Sequence, residues 1–111
     1  MGEFIKGDVV VVPFPFSDLS NSKRRPALVL ADPEGHDLIL SQITSQNICD
    51  IYSIKLRNDD FTKEALMKDS NIRPNKIFTA DENIIIYRIG HLANEKMKKV
   101  TETVIEILTE E

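Results

Sequence analysis

The stretch GDVVVVPFPFSDLSNSKRRPALVL, Gly7–Leu30, decides how the rest of the chain is read. It holds two apolar runs, Val9–Pro13 and Ala27–Leu30, separated by a polar loop that ends in three consecutive cations, Lys23, Arg24 and Arg25. β-Branched residues dominate the first run and suit a pleated, buried surface. Pro13, Pro15 and the polar segment 17–22 punctuate the connection. The pattern reads as strand, long loop, strand. Pro26 fixes its own φ and biases Arg25 toward extended backbone. A guanidinium is thereby held at the mouth of a loop, where a buried strand begins, a position suited to anchoring an anion.

Outward from this stretch, composition narrows the class. A chain of 111 residues is the size of one domain with a modest core, so association would help it. With 29% charged and 41% hydrophobic residues it reads as globular. No apolar run approaches the roughly 20 residues of a membrane helix, and MGEFIKGD lacks a secretory pattern. The single cysteine, Cys49, cannot pair internally, which points to a reducing cytoplasm. Net charge is −4, against a general nucleic-acid coat. The charge is uneven. Residues 1–30 carry four cations and three anions, and residues 31–60 carry two cations and six anions. A local cationic site on an acidic body suits a small anionic target better than a long duplex.

Taken in order, the periodicity predicts a buried strand over Asp8–Pro13, a loop over Phe14–Arg25 and a second strand from Pro26 to Ala31. A Pro- and Gly-containing turn over Asp32–Gly35 leads to a third strand, Asp37–Thr44. A polar loop precedes a half-buried fourth strand, Ile51–Leu56. Asn58–Asp60 reads as a turn, with Phe61, Leu66 and Met67 packing a loop or helical turn on the body. Asn71–Arg73 and Lys76–Thr79 read as short strands broken by Pro74. A helical turn over Ile84–Ile86 and a strand over Tyr87–Leu92 follow. Asn94–Thr109 reads as an amphipathic helix with Asn94 as N-cap and Met97, Val100, Val104 and Leu108 on its apolar stripe. Strands first and one helix last predict a mainly β fold with a C-terminal helix, a small closed or half-open β-barrel.

Three segments carry a resemblance: GDVVVVPFPFSDLSNSKRRPALVL; Ser41–Gln46, SQITSQ; and Ser70–Asp81, SNIRPNKIFTAD, followed by IGHL at Ile89–Leu92. Together they resemble the MazF/PemK (Kid) family of toxin ribonucleases from type II toxin–antitoxin pairs, in the family's order and over nearly the whole chain. The resemblance implies an SH3-like barrel of one domain, 1–111, working as a homodimer. It implies an endoribonuclease that cuts single-stranded RNA sequence-selectively without a metal, leaves 2′,3′-cyclic phosphate and 5′-hydroxyl ends, and so stops translation. It also implies a cognate antitoxin as partner, and DNA binding as the complex with that antitoxin.

Such cleavage must take a proton from the 2′-hydroxyl, stabilise charge on phosphorus-bound oxygens and protonate the departing 5′-oxygen. Cys49 and two distant histidines, His36 and His91, form no metal-ligand pattern, and no cofactor motif is present. Arg25 is the leading candidate. Removing its proton at pH 7 costs upwards of roughly 7 kcal/mol, so it serves as phosphate clamp and proton donor rather than base. The resemblance places Thr44 at the family's catalytic Thr/Ser position, where a hydroxyl donates to a phosphate oxygen. Ser45 and Gln46 adjoin it. Lys23 and Arg24 suit flanking phosphates, and Ser20 and Ser22 lie in the loop that closes over RNA in the family. Asn75 stands where some relatives carry a carboxylate; it cannot act as a base. Lys76 could meet a phosphate, and Phe14 and Phe16 could stack bases. His91 is expected as a packed strand residue and Cys49 as inert. Two alternatives stay open: a non-catalytic barrel that binds RNA or antitoxin, and a gyrase-binding toxin of the same fold. The acidic end ILTEE argues against the second.

Overall fold

Four consecutive valines, Val9–Val12, leave β1 (Asp8–Phe14) without a solvent face, and the whole molecule is built around that fact. The computed structural model describes residues 3–14, 23–48, 50–63 and 68–110. After β1 come β2 (Lys23–Ala31), β3 (Asp37–Thr44), β4 (Ile54–Leu56), β5 (Ser70–Asp81), β6 (Tyr87–His91) and the helix α1 (Asn94–Thr109). The strands form one antiparallel sheet in the order β4-β5-β3-β2-β1-β6. A bridge between Phe61, beyond β4, and Leu92, beyond β6, draws the two edges together, so the sheet curls into a half-barrel.

Each face of the sheet buries its own core. On one, Val9, Leu28, Ile43, Leu56 and Ile72 pack against Met97 and Val100 of α1. On the other, Val10, Val12, Val29, Leu40 and Ala80 meet Phe4, Phe78, Ile84 and Ile85. Strand alternation sends neighbouring residues to opposite faces, so the unbroken valine run is what a twice-covered strand requires. Among the described residues no helix is long and apolar enough to cross a membrane.

The expected β-rich fold with a C-terminal helix is what forms, and Asp37–Thr44 and Asn94–Thr109 fall where the sequence places them. Several boundaries differ. β2 starts at Lys23, not Pro26, because Phe14, Pro13 and Val12 need ladder partners and take Lys23, Arg24 and Arg25. The three cations therefore belong to a strand and not to the loop. β4 keeps only Ile54–Leu56. Asp50 Oδ1 accepts the Tyr52 and Ser53 N–H groups at 3.0 and 2.9 Å, which turns the chain there and leaves Ile51 exposed. β5 is continuous through Pro74. The register jumps from Ser41–Ile77 to Gln42–Arg73, so residues 74–76 bulge out and the missing proline N–H costs no ladder bond.

At the start of α1 the N-cap is Ala93, without a side-chain cap; Asn94 is already helical, and the Ala93 N–H is satisfied by the Asp60 carbonyl. The helical turn before β6 is a 3-10 turn, Glu82–Ile84, two residues earlier than expected. Met97, Val100 and Val104 pack on the core as the stripe predicts, but Leu108 is 73% exposed, on the rim of an apolar groove between α1 and the sheet. Leu66, Met67, Phe16 and Cys49 lie outside the described residues.

Candidate active site

One end of the sheet, on the face opposite α1, gathers the polar side chains that the apolar periodicity leaves over. In antiparallel strands, residues directly opposed share a face. Ala27 pairs with Gln42, and the same register carried two residues further brings Arg25 level with Thr44. Thr44 in turn pairs with Asn71, and Gln42 with Arg73. Arg25, Gln42, Thr44, Asn71 and Arg73 thus stand on one face across three neighbouring strands. Lys23 and Phe14, paired with each other, share that face, whereas alternation puts Arg24 on the other. Phe14 packs on Phe78 with ring centroids 5.7 Å apart, which makes an aromatic wall beside the cations.

The cations differ in how they are held. Lys23, Arg24 and Arg25 are exposed and have no ion-pair partner among the described residues. Arg73 is partly buried, and its guanidinium donates to Asp50 Oδ2 at 3.1 Å. Among the described residues its Nε is buried with no partner. A buried donor left unmatched in a native fold calls for an explanation, and a visiting anion is one. Thr44 Oγ1 accepts the Gln46 N–H at 3.2 Å, which turns the chain and leaves the hydroxyl hydrogen to donate elsewhere. The buried Asn71 amide donates to the Gln46 carbonyl at 3.0 Å and pins the same turn. Ser41 Oγ donates to the Arg73 carbonyl at 2.6 Å and fixes the strand at the bulge. Burial disfavours the Asp50 carboxylate, but the Arg73 hydrogen bond and the Ser53 and Tyr52 N–H groups outweigh it and hold Asp50 below the usual carboxylate range. Tyr52 is raised, chiefly by the charge of Glu110 and by its hydrogen bond to that carboxylate.

Arg25, Thr44 and Lys23 therefore fall on one face at one end of the sheet. Ser45 and Gln46 follow Thr44 at the exposed rim, and Asn75 and Lys76 stand exposed on the bulge beside Arg73. Ser20 and Ser22 lie outside the described residues. His36 is far from the group, 77% exposed and 3.3 Å from Glu82. His91 sits at the other end of β1, opposite Asp8. Among the described residues no three His, Cys, Asp or Glu side chains gather as a metal site. Reading the sequence missed Arg73 and Asp50. A signal for Arg73 existed: the Arg-Pro pair that singles out Arg25 recurs as Arg73-Pro74.

A six-stranded antiparallel half-barrel carrying one C-terminal helix defines the fold class. The family model described as PemK-like, MazF-like toxin of type II toxin–antitoxin systems matches residues 5–108, so the chain belongs to that family. No curated protein matches it in sequence. Among solved structures it is similar to MazF from Deinococcus radiodurans, with a TM-score of 0.75 at 15% identity over 96% of this chain and 97% of that one. It is similar to the MazE–MazF complex of the same organism, with a TM-score of 0.76 at 14% identity over 97% and 98%. A mycobacterial endoribonuclease in complex with its cognate antitoxin gives a TM-score of 0.73 at 12% identity over 95% and 94%. At such identities the likeness shows the fold.

Proposed function

We propose that this toxin is a metal-independent, sequence-selective endoribonuclease for single-stranded RNA, acting as one domain in the cytoplasm. One observation carries the reading: Arg25, Thr44 and Arg73 share a face at one end of the sheet, and Arg25 has no anionic partner there among the described residues. Structural neighbours described as endoribonucleases support it. Cationic donors around a hydroxyl suit a transferring phosphate, whose charge grows on its non-bridging oxygens. The 2′-oxygen passes its proton to solvent water and attacks phosphorus. The P–O5′ bond breaks, and O5′ takes up a proton, leaving a 2′,3′-cyclic phosphate and a 5′-hydroxyl. Arg25 clamps the phosphate and donates toward the departing oxygen. Thr44 donates its hydroxyl hydrogen to a phosphate oxygen, and Arg73 closes the third side. Lys23 on the same face meets a neighbouring phosphate, as does Lys76 from the bulge. Ser45, Gln46 and Asn75 offer hydrogen bonds to bases, and Phe14 a surface for stacking.

The partners follow the same reading. Neighbouring structures are complexes with antitoxins, and an antitoxin that covers this cationic face would block RNA entry. The chain forms a homodimer through the opposite region. There α1 and the sheet leave an apolar groove of about 350 Å³, lined by Leu30, Ile39, Ile77, Val104, Ile105 and Leu108. Ile105 and Leu108 are 54% and 73% exposed, a ridge beside a groove that a two-fold copy could fill reciprocally.

Incubation of the purified protein with a long single-stranded RNA in EDTA, beside Arg25→Ala, tests the reading. Fragments ending in cyclic phosphate, lost in the variant, are expected. Binding without fragments would replace it with a binding-only toxin.

A further inference from the structure

We infer that Asp50 is a positioning residue that aims the Arg73 guanidinium at the scissile phosphate; this rests on the ribonuclease reading above. Its two oxygens do separate jobs. Oδ1 accepts the Tyr52 and Ser53 N–H groups and so shapes the loop between β3 and β4. Oδ2 accepts from Arg73 at 3.1 Å. With both oxygens engaged, Asp50 acts through Arg73 and not on substrate. The need for it is electrostatic. Arg73 and Arg25 stand on one face on strands separated by β3, with Lys23 two residues along β2 from Arg25, so like charges gather on that face and repel one another. A carboxylate behind Arg73 offsets that repulsion and picks one direction for a long, rotamer-rich side chain.

The environment matches this role. The Arg73–Asp50 pair is mostly shielded, with side chains 20% and 26% exposed, so solvent screens it less than a surface pair. The Arg73 carbonyl is held by Ser41 Oγ, so the backbone under the guanidinium is fixed as well. The loop is tied at its far side by the Tyr52 hydroxyl, which donates to the Glu110 carboxylate at 3.2 Å. Among the described residues Arg73 Nε is buried without a partner, so the bond to Asp50 runs through Nη2 alone.

The chemistry of the carboxylate supplies the test. Asp50→Asn keeps an acceptor for the Tyr52 and Ser53 N–H groups but turns an amide donor toward Arg73. Asp50→Glu keeps the charge and lengthens the arm. Both are compared with wild type, Arg73→Gln and Asp50→Asn/Arg73→Gln by steady-state cleavage of a single-stranded RNA oligonucleotide, with thermal melts in parallel. Expected are a fall in kcat of about 10²-fold for Asp50→Asn, the scale of a misplaced catalytic group, with KM and melting temperature little changed. Asp50→Glu should retain more kcat than Asp50→Asn, and the double variant should be no slower than Arg73→Gln alone. Asp50→Asn cleaving at the wild-type rate, or single losses that multiply in the double variant, would overturn the inference while leaving the ribonuclease reading intact. If Asp50→Asn does not fold, Asp50→Glu decides: a kcat no better than that of Arg73→Gln overturns the inference. A wild-type protein that cuts no RNA overturns both.

Discussion

The two ends of β1 and its neighbours carry similar charges and treat them in opposite ways. At the Asp8 end the buried carboxylate is matched. The Asp8 carboxylate, 3% exposed, accepts from Arg88 Nε at 3.1 Å, from the Ile5 N–H at 3.0 Å and from His91 Nδ1 at 2.8 Å. A carboxylate can only accept here, so His91 carries its hydrogen on Nδ1. Arg88 also donates to the Glu3 carbonyl and lies over the Phe4 ring, 5.4 Å from its centroid. At the Arg25 end, Lys23, Arg24 and Arg25 find no carboxylate among the described residues, and Arg73 keeps an unmatched Nε. Charge alone does not separate structure from function.

That contrast predicts a division of effects, largest first. Arg25→Ala should cut RNA cleavage by about 10²–10³-fold, the loss seen when a charge-stabilising donor is removed. Its melting temperature should hardly move, because an exposed cation without a partner contributes within about 0.5 kcal/mol. Asp8→Ala should do the reverse: about 1–3 kcal/mol lost in denaturant unfolding, as Arg88 and His91 lose their acceptor, with cleavage per folded molecule preserved. An Asp8 variant that folds normally yet fails to cleave would break the comparison.

Gly7→Ala probes the matched end more finely. Gly7 has φ +97°, and an added Cβ would lie 2.9 Å from His91 Cε1, a ring that Asp8 holds in place. Destabilisation of roughly 1–2 kcal/mol is expected in the same unfolding assay. Thr44→Val keeps the strand shape and removes one hydroxyl; a net hydrogen bond of about 0.5–1.5 kcal/mol corresponds to a loss in cleavage of up to about tenfold. The smallest effect is one of stability and concerns the Asp50 carboxyl. Its carboxyl titrates below the ordinary 3.8 in the folded chain, so its contribution to stability is present above that value and is lost as pH falls through the lower folded value. Denaturant melts of wild type and Asp50→Asn should therefore differ by a constant amount above about pH 5 and converge only in strong acid. Convergence near pH 6 would contradict the folded-state pairing.

Much of the fold was legible because burial leaves a mark on composition. The valine run requires a strand covered on both sides, and the spacing of Met97, Val100 and Val104 requires one helical face. The misses have local causes. Lys23–Arg25 look like loop residues because their side chains are charged, yet a ladder uses only backbone groups, and β1 supplied the partners. Ile51–Ser53 alternate like a strand, but one Asp50 oxygen bends them away. At the site, Arg25 and Thr44 were visible through their motifs. Arg73 was visible only as an arginine before proline, and nothing in sequence sets Asp50 apart from the other acidic residues.

The sequence by itself determined which residues must be buried, hence a mainly β domain closed by one helix, and it marked the strand ends where polar chemistry could gather. Only the tertiary structure decided which of those ends meet. Register is a property of paired strands: a shift of one residue would have sent Thr44 to the face opposite Arg25. The bulge at 74–76 is what sets Arg73 beside Gln42, and chain reversal after β3 is what carries the Asp50 carboxylate to it across 23 positions of sequence.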